Sequence, residues 1–343
     1  MKKILIILTG GTIGSEVKNN IINVTHNNYL TKILNSNFKK IKFKIVKPIN
    51  ILSENALPSD WNKIINSIKK SWDNSFAGII ITYGTDTLSY AASAFSQFFY
   101  NFDKPVILVS SDKILREKNA SGKYNIISAI NFIDKEKLQG TFVAYKNPTS
   151  SFVSFFLGSR IKQVNSFNNK LESITGEDFY KYKKNKFIYT KNKFNPAISK
   201  FKKNKFVKFV EKFSFSNKIL VINSYPGINY KYFNLNADKP KAILHSLYHS
   251  GTTSTREQNN FSILNFIKKC NSKKVPFYIS PISRKKNIYQ SLKTLLNLKV
   301  QILDGISFES SYAKLSLAYG SFNNKKEIDK FLNKNNFFEK NKF

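Results

Sequence analysis

Short runs of residues that are apolar along their whole length recur through this chain, and segments with helical periodicity separate them. In the first third of the chain the runs fall at residues 4–8, 43–46, 76–82 and 104–110. A strand that is apolar on both faces needs cover on both faces, as in parallel sheets with helices packed above and below. The chain is therefore predicted to have an α/β fold with a parallel, flavodoxin- or Rossmann-like sheet.

Two helices are expected between these runs. One begins near Pro58 and Ser59, residue types that favour a helix start, and carries apolar residues at helical spacing up to Trp72. The other follows the second glycine–threonine turn of the chain and presents one apolar face, made of Leu88, Ala91, Ala92, Phe95 and Phe99. This alternation of strand and helix is typical of successive β-α-β units.

The apolar-strand pattern lapses between about residues 180 and 215, where lysine, asparagine and phenylalanine dominate. The lapse predicts a larger N-terminal domain over 1–187, a linker over 188–215 and a smaller C-terminal α/β domain over 216–343. In the C-terminal domain, strands are predicted at 218–227, 241–251, 275–283 and 299–305, and helices at 259–270, 287–297, 307–319 and 325–335.

The net charge of +35, from 56 Lys and Arg against 21 Asp and Glu, allows two interpretations. A basic surface is typical of nucleic-acid-binding proteins, and residues 180–194 and 200–213 interleave lysines with aromatic residues as an RNA-binding surface does. Abundant lysine, asparagine, isoleucine and phenylalanine also follow from an A- and T-rich genome, without selection for a polyanion. Because the lysines are spread over the whole chain, we favour the second interpretation and do not expect a nucleic-acid partner.

The remaining composition predicts neither a membrane protein nor a metal site. The run at 4–8 is too short for a signal peptide and no later run is long enough to span a membrane, so a cytoplasmic protein is expected. Cys270 is the only cysteine, which excludes a cysteine-based zinc site. His245 and His249 have the spacing of a helical metal pair, but their segment is predicted to be a strand that runs into a loop.

Two glycine–threonine turns, "TGGTIG" at 9–14 and "YGTDT" at 83–87, each follow a predicted strand. Ligands of open parallel sheets bind beyond the carboxyl ends of the strands, so one site built from both turns is expected. In the first turn, two glycines allow a tight bend and Thr12 offers a hydroxyl nucleophile; in the second, Thr85 and Asp86 supply another hydroxyl and a carboxylate. The alternative is structural, because such turns are common strand exits whose polar groups cap the next helix.

Taken together, the two turns resemble the motifs of the bacterial-type L-asparaginases, in particular the cytoplasmic type I group. "LPSDW" at 57–61, "KPVILVS" at 104–110, "YPGI" at 225–228 and "ISFESSYAKL" at 306–315 extend the resemblance along nearly the whole chain. It implies hydrolysis of L-asparagine to L-aspartate and ammonia through an acyl-enzyme, without a cofactor. It also implies a homodimer or homotetramer.

The resemblance assigns expected roles to individual residues. Thr12 matches the nucleophile, and Thr85 and Asp86 match a threonine and an aspartate that work with a lysine in proton transfer. The same two residues are expected to bind the substrate, Asp86 through the substrate's amino group. Ser53 falls where the family has a serine that binds the substrate carboxylate, and the adjacent Glu54 belongs to the same predicted substrate-binding set.

Three positions around the turns depart from the family pattern. Tyr83 stands where the family usually has a histidine, and we expect it to lie behind the site with its hydrogen-bonding tip retained. Ile22 takes the place of a tyrosine on a mobile loop. The stretch "VSSDKIL" at 109–115 replaces a TGSQ-like turn.

A fourth departure concerns the catalytic lysine of the family pattern. In "GSRIKQ" at 158–163 the ungapped match to this lysine is Gln163, which cannot act as an acid or base. Lys162 stands one residue earlier and is the candidate catalytic lysine if the backbone register shifts by one. On a strand, such a shift turns a side chain to the other face.

Other functions stay open. With Gln163 in place of the lysine, the chain could be a weakened or silent homologue that only binds an amino acid. An ammonia-releasing subunit for transfer-RNA amidation shares the threonine motifs, although such a subunit normally has an extra N-terminal domain and here the first turn begins at residue 9. RNA binding is a third alternative.

Glu309 either contributes across a subunit interface or is an acidic first-turn residue that the helix dipole favours.

Overall fold

The structure is a computed structural model that describes residues 1–11, 13, 15–18, 21–24, 28–202, 209, 212–236, 238–256, 259–282 and 288–341. The chain divides into two compact units. The first unit comprises residues 1–213 and 336–338, and the second comprises residues 214–335 and 339–343.

The first unit is built on an eight-stranded sheet. The strands of this unit are β1 (Lys2–Leu8), β2 (Ser15–Lys18), β3 (Ile21–Val24), β4 (Ile41–Val46), β5 (Phe76–Thr82), β6 (Pro105–Val109), β7 (Gly140–Tyr145), β8 (Val153–Leu157), β9 (Tyr180–Lys183) and β10 (Lys186–Tyr189). Strands β2 and β3 pair only with each other, and the others follow the order β10-β9-β8-β7-β6-β5-β1-β4. The stretch from β4 to β7 is parallel, which confirms the predicted α/β class and places the ends of β1, β5 and β6 at one edge.

Four helices accompany this sheet in the described part of the first unit: α1 (Asn28–Asn37), α2 (Pro58–Ser71), α3 (Leu88–Phe98) and α4 (Ser121–Lys135). Helix α2 begins where predicted because Pro58 occupies its first turn and the Asp60 carboxylate accepts a hydrogen bond from the Leu57 backbone N–H at 3.0 Å. Strand β6 is buried along its whole length, and the helices cover the sheet as its apolar composition predicted.

Strands β8, β9 and β10 are antiparallel to their neighbours, and this extension of the sheet was not predicted. Strands β9 and β10 escaped prediction because they alternate lysine with aromatic residues and lack the continuous apolar run of β1 or β5. Strand β10 ends within the range 188–215, and Phe201, 1% exposed, packs in the core of the first unit. The limits of the linker stay a prediction.

The second unit contains a parallel sheet with the order β11-β12-β13-β14. Its elements are β11 (Ile219–Ile222), β12 (Ala242–His245), α5 (Ile263–Ser272), β13 (Phe277–Ile282), α6 (Gln290–Leu296), β14 (Gln301–Asp304), α7 (Phe308–Ser321) and α8 (Lys325–Asn333). All lie where predicted, although β11 and β12 are shorter, because turns follow at residues 226–227 and 249–250. Glu309 is buried in the first turn of α7, which Ser307 caps by accepting a hydrogen bond from the Ser310 N–H at 3.0 Å.

Candidate active site

The first glycine–threonine turn begins directly after β1 and is held by the backbone of Ile51. The Ile51 N–H donates to the Thr9 carbonyl oxygen at 3.0 Å, and the Gly11 N–H donates to the Ile51 carbonyl oxygen at 3.2 Å. Gly10 has φ +105°, and a Cβ there would lie 2.3 Å from the Ile51 oxygen, so only glycine fits. This pairing draws the segment that carries Ser53 toward the turn. Thr12 lies outside the described residues.

The second turn, after β5, contacts the first. The Thr9 hydroxyl donates to the Thr82 carbonyl oxygen at 2.6 Å, which joins the ends of β1 and β5. A Cβ on Gly11 would lie 2.9 Å from the Gly84 Cα, and Gly11 itself has φ +69°. The structure therefore brings the two turns together, backbone against backbone, as expected from their positions at the carboxyl ends of parallel strands.

Ser53 and Asp86 meet beside these turns. The Ser53 Oγ lies 3.5 Å from the Asp86 Oδ2, with the serine buried and the carboxylate exposed. The Thr87 hydroxyl donates to the Ser53 carbonyl oxygen at 2.8 Å, and a Cβ on Gly84 would lie only 2.4 Å from the Ser53 Oγ. A hydroxyl and a carboxylate thus stand side by side at the edge of the sheet, within reach of solvent.

Two other predicted residues flank this pair. Thr85 is half-buried in the second turn, directly before Asp86, and its carbonyl oxygen accepts a hydrogen bond from the Leu88 N–H at 3.4 Å where α3 begins. Glu54 follows Ser53 and is exposed. The structure thus places Ser53, Thr85 and Asp86 around one point, with Glu54 on its exposed side.

Tyr83 lies behind the second turn, as expected. It is 2% exposed, and its hydroxyl accepts a hydrogen bond from the Trp61 Nε1 at 3.1 Å. It also hydrogen-bonds the Thr87 side chain, and burial raises the pKa of the Tyr83 hydroxyl above its ordinary value. Trp61, Tyr83 and Thr87 thereby link α2 to the Ser53 backbone, a connection that sequence reasoning missed.

Gln163 and not Lys162 contacts the second turn. The Gln163 side-chain amide donates to the Asp86 carbonyl oxygen, and its Oε1 accepts a hydrogen bond from the Ser89 hydroxyl at 2.8 Å. Ser89, in the first turn of α3, is a further residue that the sequence analysis did not single out. The glutamine therefore occupies the place toward which the ungapped match pointed.

The Lys162 amine, a predicted catalytic group, points elsewhere. It lies 3.6 Å from the Glu172 carboxylate and is half exposed. Lys170 donates a hydrogen bond to the same carboxylate, and both lysines help to hold the pKa of Glu172 below its ordinary value. The reason is the register: buried Ile161 pairs with Ser173 in an antiparallel bridge, which turns the next side chain outward.

The strand end after β6 lies at the same edge of the sheet as the two turns. The Ser111 hydroxyl accepts a hydrogen bond from the Gly122 N–H at 3.0 Å, and the Asp112 carboxylate accepts one from the Ser121 N–H at 2.8 Å, at the start of α4. Buried Asn125 donates to the Ser110 carbonyl oxygen at 2.8 Å. These bonds hold "VSSDKIL" against α4, a support that the sequence analysis did not identify.

The histidines considered for metal binding lie in the second unit. His245 ends β12, is buried, and accepts a hydrogen bond from the Tyr230 hydroxyl at 2.9 Å; burial lowers its pKa to about 4. His249 lies in the following turn. Across the described ranges, no three His, Cys, Asp or Glu side chains are grouped as a metal site requires.

None of the described helices has the length and apolar character that a bilayer crossing requires.

Comparison with known proteins adds a family and a set of relatives. The sequence model described as "Asparaginase, N-terminal" matches residues 3–193. A glutamyl-tRNA(Gln) amidotransferase subunit from Methanococcus maripaludis is 30% identical over 250 residues, which cover 70% of this chain and 57% of that protein. The corresponding subunit from Methanococcus vannielii is 28% identical over 356 residues, which cover 99% of this chain and 80% of that protein.

Solved structures share the fold over the full length. The thermostable L-asparaginase from Thermococcus kodakarensis superimposes with a TM-score of 0.80 at 22% identity, covering 99% of this chain and 100% of that one. L-asparaginase I from Vibrio cholerae gives a TM-score of 0.77 at 22% identity, with 99% of both chains covered. At this identity the likeness concerns the fold.

Proposed function

Because the chain belongs to the asparaginase family, we propose that it hydrolyses the side-chain amide of L-asparagine to L-aspartate and ammonia. The observation that carries the proposal is the convergence of three loops: Gly11 packs against Gly84, and Gly84 packs against Ser53. Thr12, the next residue after Gly11, is the proposed nucleophile. Its oxygen attacks the amide carbon, ammonia leaves, and water then cleaves the resulting ester.

Ser53 and Asp86 are the proposed anchors of the substrate. An amino acid carries a carboxylate and an ammonium, so two groups of different character are needed to orient its amide. The Asp86 carboxylate suits the ammonium, and the Ser53 hydroxyl, 3.5 Å away, suits the carboxylate. Thr85, at the start of α3, is proposed to assist proton transfer, with Glu54 at the exposed side.

Turnover is proposed to be attenuated because Gln163 replaces the family lysine. A glutamine amide carries no charge and cannot exchange a proton with the reacting hydroxyl. Loss of one acid–base group typically costs about 10²–10⁴ in rate. Lys162 remains a proposed catalytic group only if its amine leaves Glu172. A silent protein that binds the amino acid without turnover is the limiting case.

The experiment that tests the reaction is ammonia release from L-asparagine by the full chain and by Thr12→Ala. We expect Thr12→Ala to abolish release, whereas Thr31→Ala, which alters an exposed threonine of α1, leaves it unchanged. Equal rates for the chain and Thr12→Ala would overturn the mechanism. If the chain releases no ammonia, calorimetry with L-aspartate tests whether it still binds the amino acid. Binding that is lost in Asp86→Ala would show that the proposed anchors function without turnover.

A second candidate is release of ammonia from glutamine for transfer-RNA amidation. It is favoured by the relatives at 28–30% identity, which are named as subunits of glutamyl-tRNA(Gln) amidotransferases. Glutamine is longer than asparagine by one methylene, so the two amides cannot reach the same nucleophile equally well. A kcat/KM for glutamine above that for asparagine would favour this candidate.

Assembly and location complete the proposal. By likeness to the cytoplasmic type I asparaginases, we expect a homodimer or homotetramer in the cytoplasm. One neighbour in fold is titled a probable cytoplasmic L-asparaginase, from Campylobacter jejuni. Light scattering at several protein concentrations measures the mass directly, and a monomer at all of them would contradict the expected assembly.

A further inference from the structure

The β9–β10 hairpin has an aromatic face and an opposite face that carries lysines and the exposed Ile188. Tyr180 and Tyr182 are 3% and 8% exposed, and Phe187 and Tyr189 pack against the same core. Because side chains alternate between the two sides of a strand, the lysines between these rings project the other way. The interleaving of basic and aromatic residues is therefore the alternation of an amphipathic hairpin, and it does not form a stacking surface for bases.

Lysines are concentrated at the tip of this hairpin. Lys183 stands directly opposite Lys186 in the antiparallel pair, and Lys184 lies in the connecting turn with φ +47°. The Lys135 amine, from the end of α4, donates to the Asn185 carbonyl oxygen at 3.3 Å. Like charges directly opposite each other destabilise an antiparallel pair, so the arrangement is costly in the isolated protein.

The repulsion at the tip has no local compensation. Among the residues that the structure describes, no carboxylate lies within ion-pairing distance of Lys183, Lys184 or Lys186, whereas Lys181, further down β9, lies 3.9 Å from Asp178. All three tip lysines are exposed. Their charges are thus available to a partner.

Protection of a sheet edge accounts for Lys186, on the edge strand β10, but not for Lys183 and Lys184. Exposed edge strands commonly carry lysine, which prevents pairing with other chains, and Lys42 and Lys44 on β4 fit this role. Strand β9, however, is an interior strand between β8 and β10. Lys183 and the turn residue Lys184 protect no edge.

We propose that the hairpin tip, defined by Lys135, Lys183, Lys184 and Lys186, binds the phosphate backbone of a nucleic acid. The exposed amines carry the charge that complements phosphates, and binding would offset the unfavourable pairing of like charges on opposite strands. Because the hairpin's rings face the core, the tip contacts backbone and not bases. Binding is therefore independent of sequence and at least as strong for a duplex, with its higher charge density, as for a single strand. This goes beyond the proposed amide hydrolysis and does not depend on it.

The experiment measures the affinity of the full chain for a fluorescent single-stranded RNA, the same RNA as a duplex, and a DNA duplex, at several salt concentrations. The test variant combines Lys183→Gln, Lys184→Gln and Lys186→Gln. The matched control combines Lys325→Gln, Lys326→Gln and Lys330→Gln, exposed lysines of α8, and so lowers the net charge by the same amount. Thermal melting checks that both variants fold.

We expect the slope of log affinity against log salt to fall by about two to three in the hairpin variant and by less than about one in the control. Single strand and duplex should lose affinity alike. Equal losses in the two variants would assign binding to net charge alone and overturn the proposal, as would a strong preference for the single strand. Displacement of RNA by polyglutamate of equal charge would also overturn it, because an acidic protein would then be the better partner.

Discussion

At the scale of single residues, the hydrogen bonds from Trp61 to Ser53 run in one direction. An indole N–H can only donate and a backbone carbonyl oxygen can only accept. The Tyr83 hydroxyl, which accepts from Trp61, therefore donates to Thr87, and Thr87 donates to the Ser53 carbonyl oxygen. Removal of the Tyr83 hydroxyl breaks this connection at its centre.

Tyr83→Phe is expected to weaken both the fold and the substrate anchors. It leaves the Trp61 N–H and the Thr87 hydroxyl without their partner, at a cost of about 1–3 kcal/mol in the free energy of unfolding. Because Thr87 then holds Ser53 less firmly, KM for asparagine should rise more than kcat falls. Denaturant unfolding and steady-state ammonia release measure the two effects.

Tyr189→Phe is the matched control for this change. The Tyr189 hydroxyl donates to the Pro196 carbonyl oxygen at 3.1 Å, away from the turns, so its loss should affect the free energy of unfolding without changing KM. If Tyr83→Phe and Tyr189→Phe had the same KM, the link from Tyr83 to the anchors would be refuted.

At the scale of elements, the contact between the second turn and the Ser53 segment depends on a glycine at position 84, which has no side chain. A Cβ at Gly84 would lie 2.4 Å from the Ser53 Oγ, and the Ser53 segment would have to move. Gly84→Ala should therefore abolish L-aspartate binding in calorimetry, while leaving most of the far-ultraviolet circular dichroism.

Gly176→Ala is the control for Gly84→Ala. A Cβ there meets nothing within 4 Å, although φ +75° makes the backbone unfavourable for alanine. It should lower the free energy of unfolding by about 1 kcal/mol and leave binding intact. Undiminished binding in Gly84→Ala would show that the turn and the Ser53 segment need not be in contact.

Much of the fold was predictable from the elements themselves. Strand β6, residues 4–8 of β1 and residues 76–81 of β5 carry no polar side chain because both faces of the sheet are covered there, and that pattern is visible in the sequence. Hairpin β9–β10 was not predictable in this way, because its lysine–aromatic alternation is equally typical of an exposed binding surface. Only the packing of its rings on the core decides between the two interpretations.

The site was predictable in its location and less so in its details. Parallel strands end at the same edge of a sheet, so one site from the two turns was expected, whereas the direct contact of β1 with β5 is known only from the structure. The placement of Lys162 and Gln163 did not, because it depends on the bridge between Ile161 and Ser173, which forms between segments with no apolar run of their own. The link through Tyr83 and Thr87 likewise requires knowledge of where α2 packs.

At the scale of the whole molecule, a buried ion pair ties the C-terminal segment to α7 in the second unit. The Lys314 amine lies 2.6 Å from the Glu339 carboxylate, both side chains are 0% exposed, and the amine also donates to the Lys334 carbonyl oxygen. Burial lowers the pKa of Lys314 while Glu339 opposes that shift. The pair itself therefore adds little to the free energy of unfolding, but removal of one partner is expected to lower it strongly.

Glu339→Gln should lower the free energy of unfolding by about 3–5 kcal/mol, because Lys314 is left buried without a counter-charge. The double variant Lys314→Met, Glu339→Leu should recover most of this loss. Asp238→Asn is the control: its pair with Lys218, at 3.0 Å, is exposed and contributes about 0–1 kcal/mol. Denaturant unfolding measures all three, and a loss in Glu339→Gln no larger than in Asp238→Asn would contradict the buried pairing.

In the proposed function, amide hydrolysis by the whole molecule is limited by one position, 163. A lysine there could donate to the Asp86 carbonyl oxygen, which now accepts from Gln163, and to the Ser89 hydroxyl, which now donates to Gln163 and whose oxygen can also accept. The most direct measurement is the rate of ammonia release from L-asparagine by Gln163→Lys, beside the unaltered chain and Lys162→Ala. We expect Gln163→Lys to raise the rate by about 10² or more and Lys162→Ala to leave it unchanged. If Gln163→Lys did not raise the rate of ammonia release and Lys162→Ala abolished it, the assignment of position 163 as the limiting position would be contradicted.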